Sequence, residues 1–222
     1  EANLMRNLNY TSGSYLSSTD GYIYWTANDN GTANEPFKAQ FIQNGGKIYD
    51  NTAFGASSEN GGYGGGVYIT RPSNAPFYKV ECSLDFGEIY NNKTGSDGTI
   101  GNGGGVAIKT ESSFNNYYEG ANSTWSPSGS FTPPANVKPQ DVIVEVSNPG
   151  AASDAVMLVK ENQAGKGGGI YVEAYPIPLN NVTSQVITTV YDNSNIEHNT
   201  ANTDGGGLFV QNGLVSILKE GT

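Results

Sequence analysis

Residues 162–172 read Asn162-Gln163-Ala164-Gly165-Lys166-Gly167-Gly168-Gly169-Ile170-Tyr171-Val172, and the two signatures inside this stretch recur through the chain. One is a glycine triplet followed at once by apolar, any, apolar. It appears as Gly64-Gly65-Gly66 before Val67-Tyr68-Ile69, Gly103-Gly104-Gly105 before Val106-Ala107-Ile108, Gly167-Gly168-Gly169 before Ile170-Tyr171-Val172, and Gly205-Gly206-Gly207 before Leu208-Phe209-Val210. The period of two after each triplet is that of a half-buried strand. The other signature is an apolar residue with Asn three positions later: Ile48 and Asn51, Ile89 and Asn92, Val159 and Asn162, Ile196 and Asn199.

The last glycines (Gly66, Gly105, Gly169, Gly207) are spaced by 39, 64 and 38 residues, and the asparagines by 41, 70 and 37. Both rulers place one long insertion between the second and third units. A third ruler is the agreement of Asn51-Thr52-Ala53, Asn162-Gln163-Ala164 and Asn199-Thr200-Ala201, with Asn92-Lys93-Thr94 the outlier. A repeat of this length with alternating apolar runs predicts a quasi-linear stack of units. The expected fold is all-β, a right-handed parallel β-helix of about five coils of three strands in one domain over residues 1–222, with residues 112–140 as a projecting insertion.

Composition fits that expectation. Hydrophobic residues make up only 36% of the chain, which a thin columnar core tolerates better than a spherical one. The net charge is −10, with Arg6 and Arg71 the only arginines, which argues against binding a nucleic-acid backbone. No apolar run is long enough to cross a bilayer as a helix, and no basic-then-apolar start resembles a signal peptide. Because Glu1 stands where an initiator Met would, a processed or excised chain is expected. Cys82 is the single cysteine, so no internal disulfide is possible, as suits a bacterial surface protein.

Taken in order, residues 4–7 carry the apolar-to-Asn spacing of the later units. Tyr22-Ile23-Tyr24-Trp25 stands where a post-glycine strand would, and residues 37–42 and 47–49 follow as further strands. Asn28-Asp29-Asn30-Gly31 reads as a turn; its spacing does not make an EF-hand loop. The next coil reads 67–70, 78–86 and 88–90. From about residue 112 to 140 the chain leaves the pattern for a Ser-, Asn-, Gly- and Pro-rich stretch of loop character, whose Trp125 is a candidate contact residue. Strands resume at 142–146 and 156–159, then 170–173, 185–191 and 195–197, and finally 208–210 and 215–218. Leu4 and Met5, with Val215 and Ile217, are the candidate assembly strands, and two versions compete: in a fragment of a larger protein the open ends come from cutting, whereas in a complete chain the lone strand at 4–7 would finish the coil left open at 206–218 of the next molecule, giving a head-to-tail filament of the non-closing kind.

Asn51, Asn92, Asn162 and Asn199 are expected to form a structural column, each carboxamide bonding its neighbour and the turn's backbone. The glycine triplets do not make a phosphate cradle, since strand and not helix follows each one. Positive φ and close backbone approach at a repeated corner account for them. Asp85 and Glu88, with Asp141 and Glu145, are the paired carboxylates that would serve general acid–base chemistry on such a scaffold; the alternative is outward strand positions in an acidic chain. His198 reads as an outward neighbour of Asn199. Tyr68, Tyr171 and Phe209 occupy equivalent outward positions, interrupted by Ala107. This ladder would contact a sugar face or a protein partner, or pack beneath the 112–140 insertion.

Glycine-rich motifs ahead of an apolar strand, paired with an apolar residue and Asn three later, resemble the repeats of the polymorphic outer-membrane protein family and related bacterial β-helix adhesins. The family's motifs are Gly-Gly-Ala and Phe-x-x-Asn where this chain has Gly-Gly-Gly and Ile/Val-x-x-Asn, with Phe41-Ile42-Gln43-Asn44 matching off phase. The resemblance implies a secreted, surface-displayed rod without catalytic residues, cofactor or metal, whose partners are itself or a host or neighbouring-cell surface protein or glycan. The rival expectation is a polysaccharide lyase or glycoside hydrolase built on the same scaffold.

Overall fold

The computed structural model describes residues 15–16, 23–24, 38–55, 61–71, 79–110, 141–147, 156–176, 178–179 and 182–218. Residues 4–7 with Leu4 and Met5, the 28–31 turn, Trp125 and the 112–140 insertion lie outside them. No helix occurs among the described residues; the chain is all-β, and most of its strands lie in three parallel sheets.

The first sheet holds the strands that follow the glycine triplets: Val67–Arg71, Val106–Thr110, Ile170–Glu173 and Leu208–Gln211. They pair in sequence order with Val67 opposite Val106, Val106 opposite Ile170, and Ile170 opposite Leu208. The repeat read from the sequence is therefore a physical register.

In the second sheet Lys38–Tyr49 pairs along its length with Lys79–Tyr90. The first half of Lys79–Tyr90 pairs with Val142–Val146, which leads on to Val186–Tyr191 and Leu214–Leu218. Its second half pairs with Met157–Lys160, which leads on to Ser194–Glu197. Here the structure corrects the reading of the first two units, where two expected strands are one bent strand. The bend is taken up at Gly45 and Gly46 in one and Gly87 in the other, with φ of 106°, 75° and 123°, and the register shifts beside them. Glycine absorbs such a bulge without the steric penalty of a Cβ.

The third sheet is formed by Thr52–Ala53, Lys93–Thr94, Gln163–Lys166 and Thr200–Asp204. These short strands were not expected, although the shared residues after each Asn are their trace. Ile23–Tyr24 pairs antiparallel with Tyr15–Leu16 instead of joining the parallel ladder; no glycine triplet precedes it. Pro178–Leu179 and Val182–Thr183 form a second small antiparallel pair.

Alternation sends one apolar set inward from each of the first two sheets. Ile48, Ile89, Val159 and Ile196 align in register, as do Ile69, Ile108, Val172 and Val210, and both columns belong to one core. Ile89, Ile108, Val144, Val159 and Ile170 are fully buried, each contributing roughly 1.5–3 kcal/mol relative to exposure. Cys82 sits in this core between Phe41 and Val144, and burial pushes its thiol up to about 12. It packs as a small hydrophobe and not as a nucleophile.

At one corner the two sequence signatures meet. The backbone N–H of Asn51 donates to Asn92 Oδ1 (3.1 Å), that of Asn92 to Asn162 Oδ1 (3.0 Å), and that of Asn162 to Asn199 Oδ1 (3.0 Å). Each carboxamide also donates onward along the column, Asn92 Nδ2 to Asn162 Oδ1 at 3.0 Å and Asn162 Nδ2 to Asn199 Oδ1 at 2.9 Å. The same Nδ2 groups reach back to carbonyls of the preceding unit: Asn92 to Ile48, Asn162 to Ile89, Asn199 to Val159. Asn92 and Asn162 are fully buried, so these bonds supply what water no longer does.

The glycines lie against this column. A Cβ on Gly105 would stand 2.6 Å from the Gly169 carbonyl oxygen and 3.0 Å from Asn162 Nδ2; one on Gly169 would stand 2.5 Å from the Gly207 oxygen and 2.9 Å from Asn199 Nδ2. The first glycine of each triplet instead needs the left-handed region, with φ of 61°, 70°, 59° and 64° at Gly64, Gly103, Gly167 and Gly205.

Asn162→Ala is expected to cost about 1–3 kcal/mol for each buried partner left unpaired, read as a lower urea midpoint. Gly105→Ala is expected to destabilise by about 1–3 kcal/mol through overpacking. Unchanged midpoints in both would mean the corner is not where the stack is held.

Candidate functional site

The residue before each column asparagine, namely Asp50, Asn91, Glu161 and His198, is left-handed, with φ of 58°, 52°, 56° and 53°. Four polar residues are thus turned outward in a row at the corner, and His198 is exposed as expected. Asn91 Nδ2 donates to Asp50 Oδ1 at 2.5 Å. Beside this row a groove of about 290 Å³ is lined by Asp50, Thr52, Asn91, Asn92, Lys93 and Gln163. The sequence reading missed it because the left-handed residue has no fixed identity.

The outer face of the first sheet brings Tyr68, Tyr171 and Phe209 together. Tyr171 lies opposite Ala107 on one side and Phe209 on the other. Tyr171 and Phe209 stack at 5.3 Å with an interplanar angle of 6°. The gap at Ala107 is filled from outside the strands: Tyr63 stacks on Tyr68 at 5.5 Å and tilts against Tyr171 at 6.2 Å. Lys109 Nζ donates to the Tyr63 hydroxyl at 2.9 Å and lies 4.5 Å from that ring's centroid. The row is therefore continuous, with an aromatic residue that no repeat position announced. Its rings cover one another's faces, so it offers mainly edges outward. Tyr171, 4% exposed, is enclosed within it.

Glu173 accepts from both the Tyr171 hydroxyl (2.8 Å) and the Tyr175 hydroxyl (3.1 Å). Burial first, and the neighbouring Glu173 second, push the Tyr171 phenol well above its ordinary value.

A second aromatic cluster lies on the outer face of the bent strands. Tyr49 and Tyr90 stack at 5.0 Å and 3°, with Lys47 and Lys160 ammonium groups 5.9 and 5.7 Å from the Tyr90 ring. Glu88 pairs with Lys47 at 2.8 Å and lies 3.9 Å from Lys160. The hydrogen bond from Lys47 holds Glu88 below the usual carboxylate range and raises Lys47 in return. At this exposure such pairs add little stability.

The other candidate carboxylates also have structural partners. Asp85 accepts from Ser83 Oγ at 2.5 Å, Asp141 accepts the Gln185 backbone N–H at 2.7 Å, and Glu145 lies in register with Ser83 and Thr189. Among the described residues no cluster of three or more His, Cys, Asp or Glu has the geometry to hold a metal. Val215 and Ile217, expected in assembly, lie on Leu214–Leu218 at the edge of the second sheet, 48% and 80% exposed.

Comparison with known protein families, curated proteins and solved structures finds no significant match. The likeness to polymorphic outer-membrane proteins rests on the motifs alone.

A phenol whose folded-state pKa is raised stabilises the fold fully below its ordinary value near 10 and loses that contribution as pH rises toward the folded value. Thermal stability is therefore expected to fall above about pH 10, and to fall less in Tyr171→Phe. Equal slopes in differential scanning fluorimetry would remove Tyr171 as a cause.

Proposed function

We propose that the three parallel sheets are the faces of one right-handed parallel β-helix, and that this rod is a non-enzymatic adhesin or structural segment displayed outside the cell. Support for the handedness is the general preference of parallel crossovers for the right-handed path. The observation that carries the functional reading is the use made of the outer side chains. Rings stack on rings, lysines lie over rings, and Asp85, Glu88 and Asp141 are each tied to a structural partner. Such a surface is built to be rigid, and it presents tyrosine edges and charged tips at regular intervals. Contact would fall to Tyr68, Tyr63 and Phe209 on one face and to Tyr49 and Tyr90 on another. A protein or glycan of a neighbouring cell surface is the partner class that suits a rod of this kind.

The purified chain is expected to bind cells or an immobilised glycan and protein panel saturably, with at least fivefold weaker binding in Tyr49→Ala or Phe209→Ala, and to turn over no acidic or neutral polysaccharide. Chain cleavage that disappears in Asp85→Asn or Asp141→Asn would overturn this reading in favour of a lyase or hydrolase.

A further inference from the structure

Asn92-Lys93-Thr94 is an acceptor sequon for N-linked oligosaccharide, an Asn with Thr two places later. Sequons also stand at Asn9, Asn30, Asn122 and Asn181, all outside the described residues. Of the column asparagines Asn92 alone belongs to one, because Asn51, Asn162 and Asn199 are each followed two places later by Ala. The register sets Ala53 opposite Thr94. Thr94 itself is fully buried, and its Oγ1 has no hydrogen-bond partner. The hydroxyl that completes the sequon therefore contributes no hydrogen bond to the fold.

The folded corner leaves no room for a sugar. Asn92 is fully buried, and its Nδ2 donates toward the Ile48 and Tyr90 carbonyls and Asn162 Oδ1, each at 3.0 Å. Glycan transfer replaces one N–H with a bond to the first sugar carbon. That bond, about 1.45 Å long, carries the carbon well inside van der Waals contact with these oxygens. The backbone beside the carboxamide is equally close. A Cβ on Gly66 would already stand 3.2 Å from Asn92 Cγ and 2.8 Å from the Gly105 oxygen. A glycosylated Asn92 cannot enter the column, and the Asn51 N–H and Nδ2 that both donate to its Oδ1 lose their place in it.

Nor can the fold shield Asn92 from a transferase that acts on the chain as it is made. Its burial needs Asn162, which lies 70 residues further on. At about 5–20 residues per second that partner follows the acceptor by several seconds, and parallel pairing over such a separation is slow to form once both are present.

We infer that this chain is made and folded where no oligosaccharyl transferase meets it, and that Asn92 is a position at which modification and folding exclude each other. In the excluded step Nδ2 attacks C1 of a lipid-diphosphate-linked oligosaccharide. The C1–O bond breaks with its electron pair leaving on the lipid diphosphate, and one amide proton passes to solvent. The inference does not need the adhesin reading; where that reading holds, the export route of the producing cell lacks this enzyme.

The test is production of the full chain in one eukaryotic cell line by two routes, in the cytosol and behind a cleavable secretory leader. The parent is compared with Thr94→Ala, which restores the residue of the other units, and Thr94→Val, which keeps the shape of Thr; both abolish the sequon and leave the other four intact. Peptide mass spectrometry reads occupancy at Asn92, and urea unfolding reads the fold. Cytosolic parent and variants are expected to unfold cooperatively. On the secretory route the parent is expected to carry glycan on Asn92 and to give at least about fivefold less folded protein in the medium than the variants. Glycan on Asn92 of a chain whose urea midpoint matches the cytosolic parent would overturn the inference, since the corner would then accept a sugar. Full secretion of the parent with Asn92 bare would overturn it too, because the fold would have outrun the enzyme. Both variants being as poorly secreted as the parent would place the cause elsewhere and reject it as well.

Discussion

The structure depends on a buried carboxamide column pressed against a column of glycines. Asn92 and Asn162 have no access to water, so every polar atom they bring inside must be matched by the units on either side. They are matched only if successive units hold the same height, phase and direction. A slip of one residue would orphan the amides and drive a glycine Cα onto a side chain. The corner therefore fixes register for all three sheets, including stretches whose own sequences are permissive.

Once register is fixed, the outer surface follows from repetition. Like positions fall about 4.8 Å apart along the stack, a spacing at which planar rings stack and opposite charges pair. Tyr49 over Tyr90 and Tyr171 over Phe209 are nearly coplanar for this reason. Where the repeat supplies only Ala107, the row is completed by Tyr63, which arrives from the approach to the preceding glycine triplet.

The repeat was legible in the sequence wherever one residue type alone could satisfy the geometry. Gly167 and its equivalents take a left-handed φ, the two glycines after each in the first three triplets make a close carbonyl contact, and the Asn has both a donor and an acceptor to place at the corner. The apolar positions at 67, 106, 170 and 208 were equally plain, since alternation marks one buried face. Less legible were positions where several residues serve. Asp50, Asn91, Glu161 and His198 share one backbone conformation and no chemistry. The short strands after each Asn span as few as two residues, too few to show a period. The fusion of two expected strands into Lys38–Tyr49 and Lys79–Tyr90 turned on glycine bulges that read, in sequence, as turns.

By itself the sequence determined an all-β chain, the phase of its units and the identity of its corner residues, because those are local steric and hydrogen-bonding demands that few side chains meet. Only the tertiary structure decided that Ile23–Tyr24 pairs antiparallel outside the parallel ladder, that Tyr63 closes the aromatic row, and that Glu88 is shared between Lys47 and Lys160. Those outcomes depend on residues from different units meeting across the stack, and distance along the chain carries no record of which of them will touch.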